Sequence, residues 1–166
     1  WAIAQERIYG IVKNFLQWVE INRSFYRIDE CSLFCLGDYI SGDIHEELRV
    51  TNQFPVPVQV AKAGLLLGEV FRQLASHFKK LSVFEVGADN HGRLVRKPQF
   101  KQKTTNNLSY LVHTIANERA SQCSNTEFTI ADGAKLLALV NGKKFLLEHG
   151  DLIKAWSGFP LYGAQR

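Results

Sequence analysis

Apolar residues recur at helical spacing in two long segments of the chain. Residues 2–21 and 58–78 each carry an apolar stripe on one side, which is typical of an amphipathic helix. Residues 106–118 predict a third, shorter helix. A further short helix is predicted to begin at Asp43, because Glu46 follows three residues later in the pattern of a capping box.

Short apolar or alternating runs lie between these helices and predict strands. Residues 32–36 form a continuous apolar run typical of a strand buried on both faces, residues 81–86 alternate as a strand does, and each run ends in a polar loop. Residues 127–130 predict a brief strand, and residues 133–139 a short helix. The turn Asn141-Gly142, with apolar runs at 136–140 and 144–148, is in addition a hairpin signal.

The alternation of strands with helices predicts a layered α/β architecture. A chain of 166 residues with 46% hydrophobic content suits one domain, so residues 1–166 are predicted to form a single domain. Ligands in such folds gather at the carboxyl ends of the strands. Three predicted strand ends carry polar side chains there: Asp38, Asn90 with His91, and His149.

Charge and cysteine usage narrow the choice of partners and compartment. The net charge of +4 mildly favours anionic partners without the dense basic tract of a nucleic-acid arm. The three cysteines lack the pairing of a disulfide framework or a zinc site, which predicts a reducing, cytoplasmic setting. No apolar run approaches the ~20 residues of a membrane helix, so we expect a soluble protein with no membrane partner.

Carboxylate, amide and imidazole groups from separate strand ends are the donors that a divalent metal ion requires. Gly37-Asp38, Asn90-His91 and His149-Gly150 follow the order of the middle motifs of calcineurin-like metallophosphoesterases. The chain resembles phage or bacterial members of that family. The resemblance implies an α/β fold in which a layered β-sandwich is flanked by helices.

The same resemblance implies two divalent metal ions, drawn from Mn, Fe, Zn and Mg. It makes Asp38 the carboxylate that bridges the metals, Asn90 and His149 ligands of the second metal, and His91 the catalytic residue that faces phosphate. In the family a metal-bound hydroxide attacks phosphorus. The predicted function is a metal-dependent phosphoester hydrolase, a phosphodiesterase or nuclease, with a phosphomonoesterase as the alternative enzyme.

Several features depart from the family pattern. No Asp-x-His precedes Asp38 and no Gly-His-x-His follows His149, so the metal site is expected to be incomplete. Methionine is absent and the chain opens on Trp1, which suggests a fragment or a sequence with gaps. Asp89 stands where the family has Gly, and Gly92 replaces an acid. A non-catalytic nucleic-acid-binding module that keeps the fold is therefore the alternative from another class.

A basic stretch follows His91, and we interpret Arg93 and Lys97 as substrate-binding residues. With phenylalanine interleaved, such a stretch suits a phosphate or a nucleic-acid backbone, and a solvated loop is an equal alternative. The predicted substrate is a phosphodiester, with DNA and RNA as candidates, and the oligomeric state stays open. The stretch also includes Arg96, Phe100, Lys101 and Lys103.

The other histidines are interpreted as parts of the framework. His45 lies among acidic residues and is assigned to the exposed start of a helix. His77 and His113 fall in helical patterns and are assigned to packing or to the surface. The aromatic segment 156–163 is interpreted as a packed loop, with a rim of the site as the alternative.

Overall fold

The computed structural model describes residues 1–97, 101–151 and 153, so Phe100 and the segment 156–163 lie outside the described residues. Within this part, the chain is a mixed α/β protein with four helices, a three-stranded parallel sheet and a β-hairpin. In chain order the elements are α1 (Ala2–Arg23), β1 (Glu30–Cys35), α2 (Glu46–Thr51), α3 (Val56–His77), β2 (Lys80–Glu85), α4 (Leu108–Arg119), β3 (Thr126–Ile130), β4 (Lys135–Val140) and β5 (Lys143–Glu148).

The parallel sheet has the order β1-β2-β3, so the strand in the middle is β2. Successive residues of a strand point to opposite faces, and both faces of this sheet are covered. Leu81 and Val83 face a core formed with α1, α3 and α4, whereas Phe34 and Phe84 face the hairpin. This double coverage explains why apolar residues occur on both faces of β1 and β2.

The helical layer depends on a close approach between α3 and α4. A Cβ atom at Gly64 would lie 2.7 Å from Ile115 Cβ, and one at Gly68 would lie 2.6 Å from Arg119 Cβ. Only glycine permits this spacing of the two helices. The inner face of α1, including Val12 and Val19, completes the same core.

The hairpin β4–β5 turns at Asn141 and Gly142, which both have positive φ, as a two-residue type I′ turn requires. Ala138 and Leu147 bury one face of the hairpin against the sheet. The hairpin prediction is therefore confirmed, and the helix predicted at residues 133–139 is wrong. The apolar run there continues in register into the Asn-Gly turn and pairs as a strand.

The capping-box prediction is also wrong. Helix α2 begins at Glu46 with His45 as its N-cap residue, and no side chain caps it. A real side-chain cap occurs at α4, where Asn107 accepts a hydrogen bond from Ser109 N. The two long helices, the helix α4, the strands β1 to β3 and the three free cysteines agree with the sequence predictions.

Among the described helices, none is long and apolar enough to cross a membrane.

Candidate metal and phosphate site

The carboxyl ends of β1 and β2 and the end of β5 bring three predicted metal ligands together. The first two strands are parallel neighbours, and the hairpin packs across them so that β5 ends beside their loops. His149 Nε2 lies 2.7 Å from Asn90 Oδ1 and 3.4 Å from Asp38 Oδ1. The structure thus assembles Asp38, Asn90 and His149 from three separate loops.

The orientation of His149 is fixed by its other ring nitrogen. Nδ1 lies 2.8 Å from the carbonyl oxygen of Leu36, and because that oxygen can only accept, Nδ1–H is the donor. The opposite nitrogen, Nε2, then faces two oxygen atoms, an arrangement that is favourable when a proton or a metal ion lies between them. A backbone carbonyl that holds the remote N–H is the usual support of a metal-binding histidine.

The distances between these donor atoms can be compared with those expected around one divalent ion. Two atoms that each lie about 2.0–2.2 Å from a common ion are about 2.8–3.6 Å apart in octahedral or tetrahedral geometry. Of the two distances from His149 Nε2, 3.4 Å falls in this range and 2.7 Å just below it. The described part of the chain has no group of three or more His, Cys, Asp or Glu side chains that could hold a metal ion, and this site has two such side chains, Asp38 and His149, beside the amide of Asn90. The described residues therefore bring together three side-chain donors, a carboxylate, an amide oxygen and an imidazole nitrogen, and metal binding by them stays a prediction.

The turn that presents Asp38 is strained and tightly packed. Asp38 has a φ of 58°, which costs about 1–2 kcal/mol for a residue with a side chain. Its N–H donates a hydrogen bond of 2.8 Å to Asp89 Oδ2, which helps to hold this conformation. At Gly37, a Cβ atom would lie 2.7 Å from His149 Nδ1 and 2.8 Å from Asp89 Cβ. Glycine is thus needed before Asp38 for His149 to approach.

Asp89 is fully buried and organises the loop that carries Asn90. Its Oδ1 accepts from Gly92 N at 2.5 Å, and its Oδ2 accepts from Ser109 Oγ as well as from Asp38 N. Asn107 Nδ2 donates to the carbonyl oxygen of Asp89 at 2.8 Å. The departure from the family at this position therefore provides a connection between both ligand loops and α4.

Sequence reasoning missed the structural role of Asp89, Asn107 and Ser109. The available signal was Asp89 itself, an acid that comes shortly after a buried strand. Its partners could not be read from the sequence, because Asp38 lies 51 residues away and Ser109 lies 20 residues away. Gly92 belongs to the same cluster, since a Cβ atom there would lie 2.2 Å from Asn107 Oδ1. Its replacement of the family's acid is thus a packing requirement here.

His91 does not join the metal-ligand group. Its Nδ1–H donates to the carbonyl oxygen of Ser41 at 2.8 Å, which leaves Nε2 as the nitrogen available to a ligand. The ring is half-buried and lies 5.7 Å from the ring of His45, measured between centroids. Its assignment as the catalytic residue stays a prediction.

The basic stretch divides into residues with different surroundings. Arg93 lies beside the site and donates from Nε to the carbonyl oxygen of Asn90 at 3.0 Å, whereas Lys97 is exposed. Lys103 forms an ion pair of 3.1 Å with Asp151, and the two side chains are only 10% and 11% exposed. Lys103 therefore has a structural role as the ion-pair partner of Asp151. Substrate binding by Arg93 and Lys97 stays a prediction.

A buried polar layer lies under the site. Glu85 and His113 are fully buried with Oε1 and Nδ1 2.7 Å apart, although they lack the alignment of a hydrogen bond, and Asn117 Nδ2 donates to Glu85 Oε2 at 2.8 Å. The ring of Tyr39 meets the ring of His113 edge-on. Burial raises the pKa of the Cys35 thiol to about 12.

Burial also raises the pKa of the Tyr39 hydroxyl, so this group stays protonated. The hydroxyl oxygen accepts a hydrogen bond of 3.2 Å from Gly37 N, which connects the buried layer to the turn that carries Asp38. The packing role assigned to His113 is confirmed. His77, by contrast, is exposed at the end of α3.

No protein-family model, no curated protein and no solved structure matches this chain. The resemblance to calcineurin-like metallophosphoesterases therefore depends on the motifs and on the arrangement of their residues alone.

Proposed function

We propose that the protein is a metal-dependent phosphodiesterase of the calcineurin-like type that acts on a phosphodiester such as a nucleic-acid strand. One observation carries the proposal: Asp38, Asn90 and His149 converge from three loops, with His149 Nε2 3.4 Å from Asp38 Oδ1 and 2.7 Å from Asn90 Oδ1, a contact that must lengthen slightly to admit a divalent ion. The order of these residues along the chain adds support, because it is the order of the family's middle motifs.

In this proposal each residue has a defined task. The carboxylate of Asp38, the amide oxygen of Asn90 and Nε2 of His149 bind metal, and the carbonyl oxygen of Leu36 keeps the imidazole in the correct orientation. The metal ions, when bound, supply an activated water and neutralise charge on the phosphate. Because Nδ1–H of His91 donates to a backbone carbonyl oxygen, only the doubly protonated ring carries a second proton, on Nε2, and this proton passes to the leaving oxygen or stabilises negative charge in the transition state.

We further propose the layered β-sandwich of that family as the finer architecture. The parallel sheet with helices on one face and a hairpin on the other supports it, since Phe34 and Phe84 already pack against Ala138 and Leu147 between two β layers.

The test is hydrolysis of bis(p-nitrophenyl) phosphate by the protein with and without manganese. We expect turnover in the presence of Mn²⁺ and complete loss of it after chelation, with recovery when the metal is restored. Turnover that survives chelation would refute the metal mechanism. Absence of turnover with each of Mn, Fe, Zn and Mg, combined with salt-dependent binding of DNA or RNA, would instead favour the non-catalytic binding module.

Arg93→Ala and Lys97→Ala are expected to weaken substrate binding more than metal binding. Cations beside a phosphate act through charge rather than through coordination, so the Michaelis constant should rise about ten-fold for Arg93→Ala, which is next to Asn90, and less for Lys97→Ala.

With an oligonucleotide substrate the loss should shrink as salt increases. Lys144→Ala is the matched control, because this exposed lysine lies in β5, which begins at the hairpin turn. Steady-state kinetics and metal analysis of the three variants make the comparison. Unchanged binding at low salt in both variants would assign the stretch to a solvated loop.

A further inference from the structure

The loop of residues 41–45 is docked directly onto His91. Ser41 provides the carbonyl oxygen that accepts from His91 Nδ1, at 2.8 Å. Gly42 has a φ of +66°, and a Cβ atom at this position would lie 2.1 Å from the carbonyl oxygen of His91. The two backbones approach so closely that only glycine fits between them.

Two side chains from neighbouring segments fix this loop from its other side. Gln59 Oε1 accepts from Ser41 N at 3.0 Å and from Gly42 N at 3.2 Å, and Asn52 Nδ2 donates to the carbonyl oxygen of Gly42 at 2.6 Å. The polar groups of an exposed loop are usually satisfied by water, so this density of specific contacts indicates a loop held in one conformation.

The loop places His45 beside His91. The two ring centroids are 5.7 Å apart and the rings are inclined by 58°. His45 is exposed, and among the described residues neither of its ring nitrogens forms a hydrogen bond. The sequence assigned His45 to the exposed start of a helix. The loop of residues 41–45 in addition places it beside His91, the histidine predicted to face phosphate.

The separation of the two rings suits a shared anionic ligand. An oxygen atom that accepts a hydrogen bond from an imidazole nitrogen lies about 4 Å from the centre of that ring. Two rings 5.7 Å apart are therefore close enough to contact one phosphoryl group, to which the doubly protonated ring of His91 would donate from Nε2, since its Nδ1–H donates to Ser41.

The charged side chains around His45 do not by themselves select an anionic ligand. An adjacent cleft of about 330 Å³ is lined by two acids and two guanidinium groups as well as by His45. The two negative and two positive side chains give the cleft no net charge, so its charge alone does not favour an anion. The charged residues are Glu46, Glu47, Arg93 and Arg96.

We propose that His45 is a second phosphate-binding residue, which with His91 holds the phosphoryl group of the substrate. The assignment rests on the proposed phosphoesterase function, and it adds a substrate contact that the family motifs do not include. In this proposal the 41–45 loop positions His45 before substrate binds, because Gln59 and Asn52 hold the loop through their hydrogen bonds.

The direct test is titration of the manganese-loaded protein with inorganic phosphate by calorimetry. His45→Gln should raise the phosphate dissociation constant about ten-fold, the equivalent of one charge-assisted hydrogen bond, without a change in manganese content. His77→Gln, which alters an exposed histidine at the end of α3, should leave the dissociation constant unchanged. Because His45 is exposed, both variants should retain the melting temperature of the wild type.

Equal phosphate affinity in the wild type and in His45→Gln would overturn the inference, and so would a wild type that binds no phosphate. Kinetics with bis(p-nitrophenyl) phosphate separate this failure from failure of the proposed function. A wild-type protein that hydrolyses the ester, with an unchanged kcat/KM in His45→Gln, refutes the role of His45 alone. A wild type that is inactive but binds phosphate through His45 refutes the enzyme and supports the binding site.

Discussion

His149→Ala is expected to abolish metal binding and hydrolysis together. The imidazole provides the atom that lies close to both Asn90 and Asp38, so its removal opens the coordination sphere and the metal ion is no longer held. His91→Ala should give a different result. Its side chain donates to Ser41 and does not belong to the ligand group, so metal content should stay near normal while turnover falls by ~10²–10⁴-fold.

Metal analysis and steady-state kinetics on the two purified variants make this comparison. The imidazole of His91 is half-buried and that of His149 is 11% exposed, so thermal melting is needed to show that both variants are folded. Equal loss of metal in the two variants would mean that His91 is itself a ligand. Full activity in either variant would mean that the motif assignment is wrong.

Glu85→Ala is expected to destabilise the fold by about 1–3 kcal/mol, the usual cost of leaving a buried polar group without its partner. The substitution would leave the amide of Asn117 without its acceptor and would remove the carboxylate that lies 2.7 Å from His113 Nδ1. The control is Glu127→Ala, which removes an exposed acid paired with Lys80 and should cost less than about 1 kcal/mol.

Urea unfolding followed by circular dichroism measures both free energies of unfolding. Joint replacement of Glu85 and His113 by leucine should recover part of the loss, because no buried imidazole is then left unpaired, although Asn117 still lacks its acceptor. A loss below 1 kcal/mol for Glu85→Ala would show that this buried layer contributes little to stability. The metal-binding prediction is independent of that result.

The stability and the candidate site are connected through the turn after β1. Tyr39 packs against His113 on one side and accepts a hydrogen bond from Gly37 N on the other. Asp89 holds the next residue, Asp38, through its backbone N–H. The left-handed conformation of Asp38 is thus supported from two directions by buried groups, which is how a strained residue persists in a folded protein.

Elements that depend on neighbours in sequence could be predicted from the sequence. The helices α1, α3 and α4 have the apolar period of one buried face, β1 has a short apolar run, and β2 has an alternating pattern. The Asn141-Gly142 turn follows from the tolerance of both residues for positive φ. The sequence also predicted Asp38, Asn90 and His149 at strand ends, because a polar residue that follows an apolar run can be recognised from the sequence alone.

Packing between distant segments decided the rest. The carbonyl oxygen of Leu36 that orients His149 lies 113 residues away in sequence, and Asn90 lies 59 residues from the same histidine. Asp89 accepts a hydrogen bond from Asp38 N, and Lys103 forms an ion pair with Asp151. No local sequence pattern predicts either contact.

His45 and residues 133–139 illustrate the same limit. A single histidine in an acidic helix start has no periodic signal, and its position beside His91 depends on Gly42, Gln59 and Asn52 acting together. Residues 133–139 fit a helix by composition and became a strand because pairing with β5 and burial of Ala138 outweigh a weak local preference. Local periodicity determined the elements, and only the tertiary contacts decided which polar groups meet.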